Sequence, residues 1–208
     1  MDVLELRRRI PTKHFDYQKL MAEAQDQSHP RRFVGTLVKK GHILRIKKGL
    51  YAWSATVDPA PLSKEVLANL IYGPSYVSLE YALAFYGLIP ERVEALTSVT
   101  VKKSNRFETP VGNFTYDHLH EATYSLGIRL HVQSKQISFL IATPEKALLD
   151  VIALRSLSVG NDLREFLEGD LRIDLEEFEK LDQSALKALA IHYKSRAVKE
   201  FMKQVKHG

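Results

Sequence analysis

The chain has 208 residues, 45% of them hydrophobic, no cysteine and a formal net charge of +5, enough apolar content for one or two packed domains. The missing thiols exclude disulfides, thiolate nucleophiles and cysteine-ligated zinc or iron–sulfur sites, and they suit a reducing cytoplasm. No apolar run approaches the ~20 residues that span a bilayer, and Met1 to Ile10 has no apolar stretch behind its basic residues, so neither a membrane partner nor a signal peptide is expected.

In chain order, Asp2 to Arg9 reads as a first helix with Val3, Leu4 and Leu6 apolar. Ile10-Pro11 ends it, because a residue before proline avoids the α region. A second helix is predicted from Phe15-Asp16, with Tyr17, Leu20, Met21 and Ala24 at helical spacing. Ser28 is the expected N-cap of a third, with Pro30 in the first turn and Gly41 as its stop. Phe33, Val34, Leu37 and Val38 make one apolar face of that helix. His29, Arg31, Arg32, Gly35, Thr36, Lys39 and Lys40 fall largely elsewhere.

Next come two short apolar runs, His42 to Ile46 and Leu50 to Trp53, around a Lys47-Lys48-Gly49 turn, the pattern of a β-hairpin with a basic tip. Three helices followed by such a hairpin have the layout of a winged helix-turn-helix. Charge points the same way. Residues 1–55 hold twelve Lys/Arg against five acids, a net +7, whereas the remainder holds eighteen against twenty, a net −2. Charge gathered in one small module is what counterion release from a polyanion rewards; a merely solvated basic face is the alternative.

The proline-bearing, small-residue stretch from Ser54 to Pro61 is the expected linker. Residues 1–55 would then form one domain and 62–208 a second, of α+β class. Leu62 to Leu70 reads as a helix, Tyr72-Gly73-Pro74-Ser75 as a turn, and Ser78 as the cap of a helix that Gly87 closes. Strands are predicted at Ser98 to Val101, Asn113 to Tyr116, Ile128 to Val132 and Ile137 to Ala142. Thr143-Pro144-Glu145 opens a clear helix. From Asn161 onward the tail is helical and amphipathic.

Motifs for catalysis are scarce. There is no phosphate-binding glycine loop, no nucleophile elbow and no histidine pair at metal-ligand helical spacing. His118 and His120 share a face if their segment is a strand, but they have no third ligand nearby and read as surface residues. Glu145 and Asp150, five residues apart on one helix, point about 140° apart and read as a helix-start acid and a locally hydrogen-bonded acid. Asp170-Leu171-Arg172-Ile173-Asp174 lacks the close carboxylate spacing and upstream Gly-Ser of a nucleotidyltransferase. Tyr51 and Trp53 are expected in the core rather than stacked on a base. Tyr81, Phe85 and Tyr86 are expected in core and interface. Arg7-Arg8-Arg9 stands open between a phosphate contact and a solvated helix end. No enzyme, cofactor or metal site is expected.

Gly41 to Tyr51, Tyr76 to Leu83 with Tyr86-Gly87-Leu88-Ile89, the Val99 to Asp117 region with Gly112, and Ala142 to Asp150 resemble, in that order, the AbiEi family of antitoxins from abortive-infection toxin–antitoxin systems. The resemblance covers most of residues 30–155; the tail from about 160 matches nothing beyond a helical pattern. It implies an N-terminal winged helix that binds inverted repeats in its own promoter and represses the operon. It also implies a C-terminal domain that counters a co-encoded nucleotidyltransferase-type toxin, generally without a stable toxin complex. The family also includes regulators with no confirmed toxin partner.

The partner expected from both lines is double-stranded DNA. The third helix should enter the major groove, with His29, Arg31, Arg32 and Thr36 as candidates for base or groove contact. Lys39, Lys40, Arg45, Lys47 and Lys48 should meet phosphate. A winged-helix regulator with a ligand-sensing second domain, or an enzyme such as a nuclease, are the rival classes.

Overall fold

A computed structural model describes residues 2–91, 93–135, 137–155, 157, 160 and 162–207; Asn161, the expected start of the tail, lies outside them. Asp2 caps the first helix, α1 (Val3–Arg9), accepting from the Glu5 amide at 2.8 Å. After Pro11 the chain extends as β1 (His14–Asp16), where the sequence pattern predicted only a helix start. Asp16 then caps α2 (Tyr17–Glu23), accepting from the Lys19 amide at 2.7 Å. β1 is invisible locally because three residues show no alternation; it exists by pairing with a strand some 35 residues later, Phe15 opposite Tyr51.

Helix α3 (Pro30–Lys39) begins one residue later than expected. Pro30 takes the first helical position, so His29, not Ser28, stands at the N-cap, with no side-chain cap bond. Its C-terminus closes as a Schellman motif. Gly41, at φ +73°, allows the Gly41 amide to reach the Val38 carbonyl at 3.0 Å and the His42 amide to reach Leu37 at 2.9 Å. Strands β2 (Ile43–Lys47) and β3 (Leu50–Trp53) form the predicted hairpin, and the small sheet runs β1-β3-β2.

Leu6, Ile10, Phe15, Leu20, Val34, Leu37, Ile43 and Trp53 make a buried cluster within these elements. Each such aliphatic or aromatic side chain contributes about 1.5–3 kcal/mol on removal from water. Trp53 is fully buried, and its indole N–H donates to the Ile10 carbonyl at 3.1 Å, so Tyr51 and Trp53 are indeed core. The opposite face of the hairpin, with Ile46, Leu50 and Ala52, belongs to the larger cluster of the following residues.

The proline-bearing stretch is not a free tether. Asp58 is buried, bonded to Arg7 at 2.8 Å and receiving Lys13 on its carbonyl. Beyond it come α4 (Lys64–Ile71), β4 (Ser75–Val77), α5 (Leu79–Phe85), β5 (Leu96–Thr100), β6 (Asn105–Thr109), β7 (Gly112–His118), α6 (Glu121–Tyr124), β8 (Ile128–Val132), β9 (Ser138–Ala142) and α7 (Pro144–Leu154). The strands form a mixed sheet in the order β6-β7-β5-β4-β9-β8, giving an α+β molecule. β4 and β6 were not predicted. The first is three buried residues, and the second is an exposed edge, Asn-Arg-Phe-Glu-Thr, whose polarity hides its pairing.

Helix α4 covers one face, where Ser75 Oγ and the Tyr116 hydroxyl both donate to the Ala68 carbonyl, at 3.4 and 2.7 Å. Helices α5 and α7 cover the other. The tail adds a π-helical turn (Glu165–Asp170), α8 (Leu175–Glu179), α9 (Gln183–Ala190) and α10 (Arg196–His207), of which α9 and α10 lie against α7.

Ser78 stands at the N-cap of α5 as expected, yet does not cap it. Its hydroxyl donates instead to Asp150 Oδ2 at 2.8 Å, and the Tyr81 amide is met from outside by Thr97 Oγ1 at 3.1 Å. Asp150 is the centre of a buried network. Its Oδ2 also accepts from the Tyr76 hydroxyl at 2.9 Å, and its Oδ1 accepts from the Tyr193 hydroxyl at 2.6 Å and Lys146 Nζ at 2.9 Å. Lys146 Nζ also donates to the Thr123 carbonyl at 3.0 Å and to the Tyr193 hydroxyl oxygen at 2.6 Å, so its three protons are all used.

Both charged side chains of that network are completely buried. Burial pushes the Lys146 pKa down, against the pull of Asp150, and pushes the Tyr193 hydroxyl far up. Asp150 is therefore not only a local acid. It ties β4, α5 and the tail to α7. Gly127, at φ +64°, lies so close under α7 that a Cβ would sit 2.8 Å from that of Lys146.

Candidate nucleic-acid interface

Val34 and Leu37 of α3 point into the small cluster, with Phe33 and Val38 packed at its margin. The helical period then turns Arg31, Arg32, Gly35, Thr36, Lys39 and Lys40 outward, and all are exposed, as is His29 ahead of them. The Thr36 hydroxyl donates to the Arg32 carbonyl at 2.9 Å, leaving its oxygen lone pairs and methyl group to the outside. Arg45 projects from β2 and Lys48 from the turn, both exposed.

Lys47 is placed differently from the other eight expected contacts. It is half-buried, and its ammonium donates to the Ile71 carbonyl at the end of α4. Burial lowers its pKa, with a smaller push from the charge of Lys102. Lys102 donates in turn to the Gly73 carbonyl and lies 5.2 Å over the Tyr72 ring. Two ammonium groups thus hold one short turn, 71–73, beside the hairpin tip. The Lys102-Lys103 doublet was not singled out in the sequence; its signal was two adjacent lysines directly after a strand.

The electrostatics of the first 55 residues are sorted by partner. All five acids serve the α1–α2 side. Asp2 and Asp16 cap helices, Glu5 and Asp26 hold Arg9 at 2.9 and 2.6 Å, and Glu23 holds Lys19 at 2.7 Å. Arg7 is drawn to Asp58. Of the Arg7-Arg8-Arg9 run, Arg7 and Arg9 are held in ion pairs, so two of the three are structural. Among the described residues no acid pairs with Arg31, Arg32, Lys39, Lys40, Arg45 or Lys48. These six cations sit on one helix and the hairpin that follows it, without internal compensation. A surface so built attracts a polyanion, and its affinity falls with salt.

The remaining candidates resolve into structure. His118 Nδ1 lies 3.0 Å from the Lys102 carbonyl at the end of β7, and His120 accepts from the Ala122 amide at the start of α6. Glu145 accepts from the Asp182 amide at 3.1 Å, fastening the tail. Tyr81 bonds Glu65 at 2.5 Å and Tyr86 bonds the Ala142 carbonyl at 2.7 Å, while Phe85 stays partly exposed against His131 and Phe139. Among the described residues no group of three or more His, Asp or Glu is placed to hold a metal ion. Nor is any described helix long and apolar enough to cross a membrane. Compared with known proteins, the chain matches no family model and no curated protein matches it.

Proposed function

We propose that this chain is a DNA-binding antitoxin that represses its own operon and counteracts a co-encoded nucleotidyltransferase-type toxin, without catalysis of its own. The observation that carries the DNA part is the uncompensated basic surface of α3 and the hairpin, set on a helix–strand–helix–helix–strand–strand order with one three-stranded sheet. That order is the one a winged helix needs. The recognition helix lies outermost, packed by one face only, and the hairpin stands beside it to meet the flanking backbone. His29, Arg31, Arg32 and Thr36 read the groove; Lys39, Lys40, Arg45 and Lys48 bind phosphate and set the register. Lys47 instead holds the C-terminal end of α4. The antitoxin part rests on the AbiEi resemblance of residues 30–155.

Two experiments test the two parts separately. Mobility shift of the full chain on DNA upstream of its own gene, across a salt series, should give sequence-selective binding whose logarithm falls linearly with that of salt. Equal shifts on random DNA would remove the operator-reading role. Co-expression with a neighbouring nucleotidyltransferase gene should restore growth; failure to rescue would remove the antitoxin role and leave a regulator.

A further inference from the structure

The tail carries its charge in two blocks. Residues 162–182 hold nine acids and three bases, whereas residues 183–207 hold six bases and one acid, Glu200. In the basic block Arg196 pairs with Glu200 at 2.7 Å. Lys187, Lys194, Lys199, Lys203 and Lys206 are exposed, and their side chains have no partner among the described residues. Between the end of α9 and α10 runs a groove of about 400 Å³. Its floor is aliphatic, formed by Ala190, Ile191 and Met202, and Ile191 is 79% exposed, the most exposed of the large hydrophobic side chains described. Lys199, Lys203 and Lys206, spaced by four and three, line one wall as a single stripe of α10, and Lys187 stands on the other.

We propose that this groove docks an acidic amphipathic helix of a partner protein. Apolar side chains at helical spacing would cover Ile191 and Met202, and carboxylates on the flanks of the same helix would meet the lysine walls. Charge complementarity fixes the sign of the partner, and the aliphatic floor fixes its kind. A nucleic acid would be better served by arginine and aromatic side chains, and none lines this groove. A membrane needs an outward apolar face, but α10 turns Ala197, Val198 and Phe201 into its own core. A second copy offers its acidic block, yet that block turns the large apolar side chains Phe166, Leu167, Leu171 and Phe178 into its own core. The surface is independent of the DNA reading, because α10 packs in the larger core and α3 in the smaller one.

The probe is a fluorescein-labelled synthetic helix of about four turns, leucine at every third or fourth position and glutamate between. It is titrated with the full chain and read by anisotropy. Binding on the order of micromolar is expected, weakened about tenfold by Lys199→Glu with Lys203→Glu and several-fold by Ile191→Ser. The same variants should leave the DNA shift unchanged, and a peptide with lysine in place of glutamate should not bind. No binding, equal binding of the lysine peptide, or binding insensitive to these variants would overturn the proposal. So would tighter, variant-sensitive binding to phosphatidylserine vesicles or single-stranded RNA. Self-association abolished by the same variants would instead assign the groove to a second copy.

Discussion

Two regions of this molecule hold unusual positive charge, and they handle it in opposite ways. Lys146 is enclosed, and each of its protons has an acceptor within 3.0 Å, with Asp150 beside it. Arg31, Arg32, Lys39, Lys40, Arg45 and Lys48 are in solvent, and among the described residues no acid answers them. A buried charge is tolerated only when it is fully partnered, so it reports on the fold. An exposed charge left unpartnered beside others of its sign is mildly destabilising and stays free to act on whatever approaches the surface. Counting lysines would rank the two alike; counting partners separates them.

The comparison breaks most visibly at Lys146. Lys146→Met leaves the Asp150 carboxylate buried without a cation, and should lower unfolding free energy in urea by about 3–5 kcal/mol. A loss under ~1 kcal/mol would mean the pair is not held buried in solution. On the exposed side, Arg31→Ala should cost about 1–3 kcal/mol of binding on cognate DNA while leaving stability within ~0.5 kcal/mol. Equal losses on cognate and random DNA would make it a phosphate contact only.

The hairpin sharpens the contrast, because neighbouring lysines fall on opposite sides of it. Lys48→Ala should flatten the salt slope of DNA binding by about 0.9. Lys47→Ala should leave the slope nearly unchanged and lower stability slightly, since its ammonium serves the Ile71 carbonyl. Reversed results would place Lys47 on the DNA.

The smallest effect concerns His14, whose pKa burial lowers below the usual 6.5. With the folded value depressed, the unfolded chain binds more protons just below pH 6.5. Stability should therefore fall with acidification through that window. His14→Asn should show a shallower decline between pH 7 and 5 by thermal denaturation, and an unchanged slope would exclude His14 as its source.

Much of the fold was legible because its signals are local. Thr143 as a cap, Pro30 and Pro144 at first helical positions, Gly41 as a C-terminal stop and the hairpin around Lys47 to Gly49 all act over a few residues. The misses have two causes. β1 and β4 are three-residue segments that become strands because distant partners offer their backbone, and the Ser78 hydroxyl is taken by Asp150, 72 residues away. β6 pairs with the adjacent β7 across a tight turn, but its polar composition hides the strand. Of the expected contact residues, eight lie on the exposed surface and one, Lys47, is drawn inward.

The sequence by itself determined the helical punctuation, the apolar face of α3 and the excess of base over acid in the first 55 residues, since propensity, periodicity and composition are properties of neighbours along the chain. Only the tertiary structure decided which of those bases are free. Asp26 reaches Arg9 across the α1–α2 pair, Asp58 folds back onto Arg7, and the Ile71 carbonyl takes Lys47. The Coulomb energy of an ion pair falls with the distance through space and not with separation along the chain, so the cations left unpaired appear only once the fold has placed the acids.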